Sequence, residues 1–253
     1  MNRAILPLIL SFSLLLTSCA ELMTALKTVS GDAPLTEAEV IEGLKEALIT
    51  GARNSAGKLA AQNGYYGDEL IKIYMPPEAS VIVDNISKIP GGQQLVDDVV
   101  LRINRAAEDA AKEVAPVFVS SIRQMTLRDA FDILRGENDA ATQYLRNTTW
   151  DELFNLYSPR IRASVEKDLV GDISTQDSWD ALTEQWNKFA TSLAGRIAGM
   201  KPVETKLGDY LTGKALDGMF VKVAGEELKI RQDVNARVSP LLKKVFGSLD
   251  EKE

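Results

Sequence analysis

Apolar side chains recur every three or four positions along most of the chain from residue 36 onward, which is the spacing of one buried helix face. The clearest stripe predicts a helix over 95–114. Pro116 should break or kink it, because proline lacks an amide hydrogen and clashes with the preceding turn. A broader apolar surface over 207–230 predicts a central helix buried on most sides. The two stripes contain Leu95, Val96, Val99, Val100, Ile103, Ala106, Ala107, Ala110 and Val114, and Leu207, Leu211, Ala215, Leu216, Met219, Phe220, Val223 and Ala224.

Capping residues mark where several helices begin. Residues 36–39 form a capping box, Thr-Glu-Ala-Glu, and the helix that follows should run to about Gln62 and stop at Asn63-Gly64. A further capping box at 149–152 indicates that a new helix starts there. Shorter helices are predicted over 79–89, 117–124, 126–136, 139–146, 175–197 and 240–246.

The outer side of the 95–114 helix carries charged residues. Asp98 and Arg102 are four positions apart, as are Glu108 and Lys112, so each acid can pair with the base one turn later. We expect both pairs on the solvent side, where each contributes only a few tenths of a kcal/mol.

Residues 69–75 do not follow the helical pattern. They are mostly apolar and partly β-branched, they lack a helical face, and Pro76-Pro77 follows them. We expect an extended segment that crosses the domain, packed but not necessarily in a sheet. With no internal repeat and no linker after residue 36, the fold class is all-α: a single multi-helix domain with this one extended segment. The length also allows two helical subdomains.

The N-terminal segment has the pattern of a secretory signal peptide. Met1-Asn2-Arg3 carries one positive charge, and residues 4–16 are uncharged and mostly apolar. That run is too short for a comfortable spanning helix, which needs about 20 apolar residues. Leu16-Thr17-Ser18-Cys19 resembles the bacterial lipobox. In that motif the cysteine receives a diacylglyceryl thioether and becomes the first residue of the mature protein.

Cys19 is therefore the predicted lipidation site, and the membrane is the predicted partner, because two or more acyl chains attach a protein stably. Resemblance to lipoproteins with Ala20 at the next position implies the outer membrane, with the domain facing the periplasm. A plain secretory peptide that leaves a free thiol is the alternative. The predicted organisation is a signal peptide (1–18), a lipidated tether (19–35), a helical domain (36–247) and a charged tail (248–253).

Composition excludes several kinds of chemistry. The 253 residues include no His and one Cys, which excludes histidine triads, histidine-ligated metals and an internal disulfide. We expect no metal and no cofactor. The net charge of −7 argues against a nucleic-acid partner. No Gly-x-Ser-x-Gly, Ser-x-x-Lys or P-loop pattern occurs, so the chain is not predicted to be an enzyme.

Eight short segments together resemble the bacterial lipoprotein family catalogued as domain of unknown function 4197. The resemblance spans roughly residues 36 to 247 and implies a helical, exported, single-domain protein. It implies no activity, because no chemistry is assigned to the family. The segments are 43–48, 63–66, 70–73, 104–108, 125–126, 140–145, 215–220 and 241–246.

Three polar groups are candidate binding sites, and each has a structural alternative. The first group could line a pocket as a polar and aromatic loop, or it could be a helix cap followed by core tyrosines; it contains Asn63, Tyr65 and Tyr66. The second group could bind a ligand between two predicted helices, or it could be a buried polar network; it contains Asn104, Arg105, Thr142, Gln143 and Tyr144. The third group lies on one helix face and could bind an anion, or it could be a solvent-exposed ion pair; it contains Tyr210, Lys214 and Asp217.

These features indicate a lipid-anchored, non-catalytic binding or scaffold module facing the periplasm. Its partner is expected to be another envelope protein or a small apolar ligand. The alternative is an envelope hydrolase that uses two carboxylates, since such a pair suffices for glycoside hydrolysis.

Overall fold

The computed structural model describes residues 34–86 and 92–250. Within these ranges there are ten α-helices and no β-strand, which confirms the all-α prediction. The helices are α1 (Glu37–Leu59), α2 (Ser80–Asp84), α3 (Gly92–Ala111), α4 (Val114–Gln124), α5 (Ala130–Arg135), α6 (Ala140–Val165), α7 (Thr175–Thr191), α8 (Leu193–Ile197), α9 (Leu207–Gln232) and α10 (Pro240–Gly247).

Helix α9 is the centre of the core, as its broad apolar surface predicts. It packs against α1 and α6, and the side chains of Leu211, Ala215 and Met219 are completely buried. The Phe220 ring lies 5.3 Å from the Phe118 ring and 5.9 Å from the Trp150 ring, measured between ring centroids. Most of the buried apolar residues form one contiguous cluster, so the described helices share a single core.

A buried ion pair on α9 connects this helix to the turn between α5 and α6. The Glu227 carboxylate accepts the backbone amides of Ala141 and Thr142, at 3.1 and 2.7 Å, at the start of α6. The Arg231 guanidinium donates to the carbonyl of Leu134 at the end of α5 and to Glu227 Oε1 at 2.9 Å. One charged pair thus caps the end of one helix and the beginning of the next.

Helix α6 corrects two sequence predictions. Helices were expected to end near Arg146 and restart at the 149–152 capping box, but α6 runs through both and also through Pro159. The Thr149 hydroxyl caps no helix; it donates to the Leu145 carbonyl at 2.7 Å within α6. The prediction was wrong because a Thr-x-x-Glu pattern also fits a helix interior, where the threonine hydroxyl can donate to the carbonyl four residues earlier.

The prediction of two ion pairs on the outer side of α3 is wrong for one of them. Glu108 is 4% exposed and does not pair with Lys112, which contacts Asp109 at 2.8 Å instead. The Asp98–Arg102 pair forms at 2.7 Å, although Arg102 is buried. Glu108 points inward because the loop after α1 supplies buried amides that need an acceptor.

Helix α1 begins as predicted and ends slightly early. The Thr36 hydroxyl accepts the Glu39 amide, and the Glu39 carboxylate accepts the Thr36 amide, which completes the capping box. The helix ends at Leu59 rather than near Gln62. Asn63 has φ of +67°, which is the left-handed conformation expected at that turn.

The helix predicted over 95–114 spans Gly92–Ala111, and α4 starts at Val114. The break therefore precedes Pro116, which lies in the first turn of α4, where a missing amide hydrogen is tolerated.

Three further predicted helices have different boundaries. The helix expected from residue 126 begins at Ala130, because Asp129 has φ of +54° and cannot belong to a right-handed helix. The helix expected over 175–197 divides into α7 and α8 at Ser192. The helix expected over 79–89 is a 3-10 turn at Pro77–Ala79 followed by α2, and residues 87–91 lie outside the described part.

The predicted signal peptide, Cys19, and most of the predicted tether lie outside the described residues, as do the last three residues of the charged tail. Of the helices in the described part, none is long and apolar enough to cross a bilayer.

The junction of α1 and α9 predicts a pH dependence of stability. Burial raises the pKa of Glu226, but hydrogen bonds from Lys229, Lys58 and Asn54 outweigh it and lower the pKa from 4.5 to about 2. A carboxyl whose pKa is lowered by folding stabilises the fold above its unfolded pKa, and this contribution is lost as the pH falls from 4.5 toward 2.

Glu226→Gln should therefore lower the free energy of unfolding at about pH 6 and have a much smaller effect at about pH 2. Urea denaturation at the two pH values measures this difference. Glu184→Gln is the control, because its contact with Lys188 is largely exposed and it should change stability little at either pH. Equal destabilisation by Glu226→Gln at both pH values would contradict the prediction.

Candidate functional site

The loop that follows α1 is attached to α3 by one buried carboxylate. Glu108 Oε1 accepts the amides of Tyr65 and Tyr66, at 3.2 and 3.1 Å. Its other oxygen accepts Arg105 Nη1 at 2.5 Å, and Arg105 Nη2 donates to Asn63 Oδ1 at 2.8 Å. The structure therefore brings the first predicted group together with Arg105 of the second.

The two tyrosines of this loop have different roles. Tyr65 is buried in the core, its hydroxyl donates to the Ala215 carbonyl at 2.8 Å, and burial raises the pKa of its phenol. A Cβ on Gly218 would lie 2.7 Å from the Tyr65 ring, so this position of α9 has no room for a larger residue. Tyr66 is half-buried, with the Lys72 ammonium 4.4 Å from the centre of its ring. Tyr65 is a structural residue, and Tyr66 contributes to the surface.

Asn104 holds the extended segment. Its Oδ1 accepts the Ile73 amide at 2.9 Å, and its Nδ2 donates to the Ile73 carbonyl at 2.7 Å and to the Val100 carbonyl at 2.8 Å. The side-chain amide thus takes the place that a neighbouring strand occupies in a sheet. The extended segment predicted over 69–75 is correct only in its second part. Residues 69–71 form a turn in which the Asp68 carbonyl accepts the amides of Ile71 and Lys72, whereas residues 72–76 are neither helix nor turn and are joined to α3 by the Asn104 side chain.

A groove of about 240 Å³ lies between residues 70–74 and α9. Tyr210 crosses one part of it, donating its hydroxyl to the carbonyls of Tyr74 and Met75 at 3.1 and 3.3 Å. Leu70 is 84% exposed, Tyr74 52% and Val221 46%, so the walls present apolar side chains to solvent.

The charged residues of the third predicted group line the same groove. Lys214 Nζ lies 3.9 Å from Asp217 Oδ2, and Asp217 Oδ1 accepts Arg146 Nη2 of α6 at 2.5 Å. Lys72 adds a second ammonium from the extended segment. Its Nζ lies 3.7 Å from Glu69 Oε1. The groove therefore combines apolar walls with two lysines that make only long ion-pair contacts and one acid that is already paired with Arg146.

The remaining predicted residues lie elsewhere. Thr142 binds Glu227 through its amide and its hydroxyl, and Gln143 Nε2 donates to Asp139 Oδ2 at 2.9 Å. The Tyr144 hydroxyl donates to the Thr126 carbonyl at 2.8 Å. No hydrogen bond among the described residues joins these side chains to Asn104, so the second predicted group does not form as a unit.

Sequence reasoning missed Glu108 and Lys72 as parts of this region. Glu108 follows the inward-facing Asn104 by four residues, so both lie on one helix face, and this spacing was the available signal. Lys72 is the one charged residue in the apolar run 70–75, a position where a long side chain can extend along neighbouring rings.

A second groove, of about 440 Å³, lies between α6, α7 and the start of α9. Its walls mix both signs of charge, with Arg162 3.5 Å from Asp209, and none of the predicted site residues lines it. Two basic and three acidic side chains line it, so it offers no concentrated charge of one sign to a ligand.

Asp109 and Asp68 have the lowered pKa values that are typical of carboxylates in ion pairs. Burial raises the pKa of Asp109, but hydrogen bonds from Lys112, Lys167 and Ser164 outweigh it and lower the pKa to about 2. The Lys222 hydrogen bond likewise lowers the pKa of Asp68. A general acid of a glycoside hydrolase needs a raised pKa, the opposite shift. Among the described residues there is also no cluster of three or more acidic or cysteine side chains that could hold a metal ion.

Comparison with known proteins identifies one family. A family model described as protein of unknown function (DUF4197) matches residues 34–247. No curated protein and no solved structure matches the chain.

Asn104→Ala should free the extended segment. It leaves the buried amide and carbonyl of Ile73 without partners, and each such group costs about 1–3 kcal/mol. We expect the free energy of unfolding to fall by about 2–4 kcal/mol and the Ile73 amide to exchange faster than in the wild type. Urea denaturation and hydrogen exchange measure the two effects. The exposed Gln93→Ala on the same helix is the control, and an unchanged Ile73 exchange rate would refute the assignment.

Proposed function

The chain belongs to the family described as protein of unknown function (DUF4197), and from that premise we propose that it is a non-catalytic binding module. Its groove between residues 70–74 and α9 binds an extended segment of another polypeptide. The observation that carries this proposal is the extended segment itself, which has one edge occupied by Asn104 and the other edge beside an open apolar groove.

The backbone of the extended segment supports a polypeptide occupant. In an extended chain the hydrogen-bonding groups of successive residues alternate between the two edges. Asn104 occupies those of Ile73, and the Tyr210 hydroxyl donates to the Tyr74 carbonyl on the other edge. The Lys72 carbonyl and Tyr74 amide make no hydrogen bond within the described part of the chain. An added strand can bind these two groups, as in other complexes where a peptide extends an exposed strand.

Charge and size define the occupant further. Lys72 and Lys214 favour an acidic side chain in the bound segment, since Asp217 is already paired with Arg146. Leu70 and Val221 favour apolar side chains on either side of it. The volume of about 240 Å³ is below the roughly 300–1,000 Å³ of pockets that enclose small ligands, so a segment lying along the groove fits better than an enclosed molecule.

We also propose that this module works at the bacterial envelope, anchored by lipid on Cys19. The support is the sequence: a basic start, a short apolar run and Leu16-Thr17-Ser18-Cys19, with Ala20 favouring the outer membrane. In that setting the occupant of the groove is a segment of another envelope protein.

The groove proposal predicts charge-selective peptide binding. A short alternating valine–threonine peptide with a central aspartate should bind more tightly than the same peptide with a central lysine. Lys214→Glu should reduce the affinity for the aspartate peptide about fivefold, because it replaces a partly exposed attraction with a repulsion. Calorimetry gives the affinities, and NMR amide shifts at Tyr74 and Val221 identify the site.

Lys243→Glu is the matched control, since it makes the same charge change at an exposed position of α10. Equal affinities for the two peptides, or shifts concentrated away from the groove, would refute a polypeptide occupant. Shifts of the same amides by a fatty acid, with none by either peptide, would indicate a carrier of small amphipathic ligands instead.

The anchor proposal predicts that Cys19→Ser releases the domain from membrane fractions, because the acyl chains would have no sulfur to attach to. Fractionation at high salt followed by immunoblotting measures the release. Labelling the wild-type chain with a radioactive fatty acid provides the positive control. Persistent membrane pelleting of the variant, or an unlabelled wild-type chain, would contradict lipidation at this residue.

A further inference from the structure

The short helix α8 exposes large apolar side chains. Leu193 and Ile197 lie four residues apart on one face and are 77% and 79% exposed, and Phe189 at the end of α7 is 42% exposed. Helix α8 packs mainly against α7 and presents its other side to solvent. We call the segment 188–202, with these three side chains, the apolar tip.

The apolar tip is held in a defined shape. The Ser192 hydroxyl caps α8 by accepting the Gly195 amide at 3.1 Å, and a Cβ on Gly195 would lie 2.2 Å from the Phe189 carbonyl. The return loop is held by Trp186, whose indole donates to the Lys201 carbonyl at 2.9 Å, and by Asn187, which binds both backbone groups of Val203. Leu193 and Ile197 therefore point outward because of fixed contacts.

The charge of the apolar tip differs from that of the chain. Residues 185–203 contain Lys188, Arg196 and Lys201 and no acid, whereas the whole chain has a net charge of −7. Glu184 lies 3.4 Å from Lys188, but both side chains are largely exposed, so this contact neutralises little. Local positive charge is thus combined with exposed aliphatic side chains.

We propose that the apolar tip is a membrane-contact surface for bilayers that contain anionic phospholipid. Aliphatic and aromatic side chains flanked by lysine and arginine are typical of segments that lie in the headgroup region of a membrane. The cations are complementary to phosphate headgroups, and the tip is a protruding helix without a groove, which suits a fluid surface. This surface belongs to α7 and α8 and is separate from the proposed peptide groove.

Hydrogen exchange on the full chain tests the proposal without depending on how the N-terminus is attached. Peptides covering 189–203 are compared by mass spectrometry with vesicles of phosphatidylethanolamine and phosphatidylglycerol, and with vesicles of phosphatidylethanolamine and phosphatidylcholine. Exchange should slow with the anionic vesicles and change little with the neutral ones. Arg196→Gln should reduce this protection about fivefold, the effect of one cation near an anionic surface.

Leu193→Ser with Ile197→Ser should abolish the protection, while thermal unfolding stays unchanged because both side chains are exposed. The control is Val234→Ser with Val238→Ser, which removes two exposed apolar side chains outside the apolar tip and should leave the protection intact. Absence of slowing, equal slowing by both kinds of vesicle, or slowing that survives the Leu193 and Ile197 changes would overturn the proposal. Slowing by a lipid-free envelope protein alone would also overturn it and assign the tip to a protein partner.

Discussion

The pair of Glu227 and Arg231 is the interaction on which the arrangement of the other helices depends. It lies on the central helix α9 and binds the amides that begin α6 and the carbonyls that end α5. Helix ends leave backbone groups without partners inside the helix, and burying them unpaired is costly. Because the pair supplies those partners, the turn between α5 and α6 can lie against α9. Arg237 likewise binds the Ile230 and Arg231 carbonyls at the end of α9.

The same use of buried polar side chains builds the candidate site. Asn104 and Glu108 are one turn apart on α3, and they bind the backbone of two non-helical stretches, at Ile73 and at Tyr65 and Tyr66. A helix therefore supplies the hydrogen bonds that a sheet or a second helix supplies elsewhere. For the proposed binding role this means preorganisation: the segment at Ile73 is held by Asn104 without an occupant, so a bound peptide would not have to order it.

The groove and the apolar tip suit different occupants because their physical properties differ. The groove is concave, lined by backbone and apolar side chains, and carries lysines that favour an acidic segment. The tip combines exposed aliphatic side chains with three lysine and arginine residues close to them in the sequence, in an otherwise acidic chain. A module anchored at a membrane could use the tip to orient itself on the bilayer and keep the groove available to a protein partner.

The sequence by itself determined the helical class, the central position of the helix predicted over 207–230, and the non-helical segment directly before Pro76-Pro77. These features follow from local spacing and from the covalent properties of proline, so they need no knowledge of distant residues. Their helical spacing also placed Tyr210, Lys214 and Asp217 on one face of that helix.

Only the tertiary structure decided which polar residues are buried and what they bind. Glu108 has the spacing of a surface ion pair with Lys112, and Thr149 has the pattern of a helix cap, yet neither performs that role. Glu108 binds the loop at Tyr65, which lies far away along the chain, and Thr149 lies inside α6, whose start is bound by the equally distant Glu227. A buried carboxylate takes the partner that packing brings to it, because leaving it unpaired would cost more than giving up a weak surface contact.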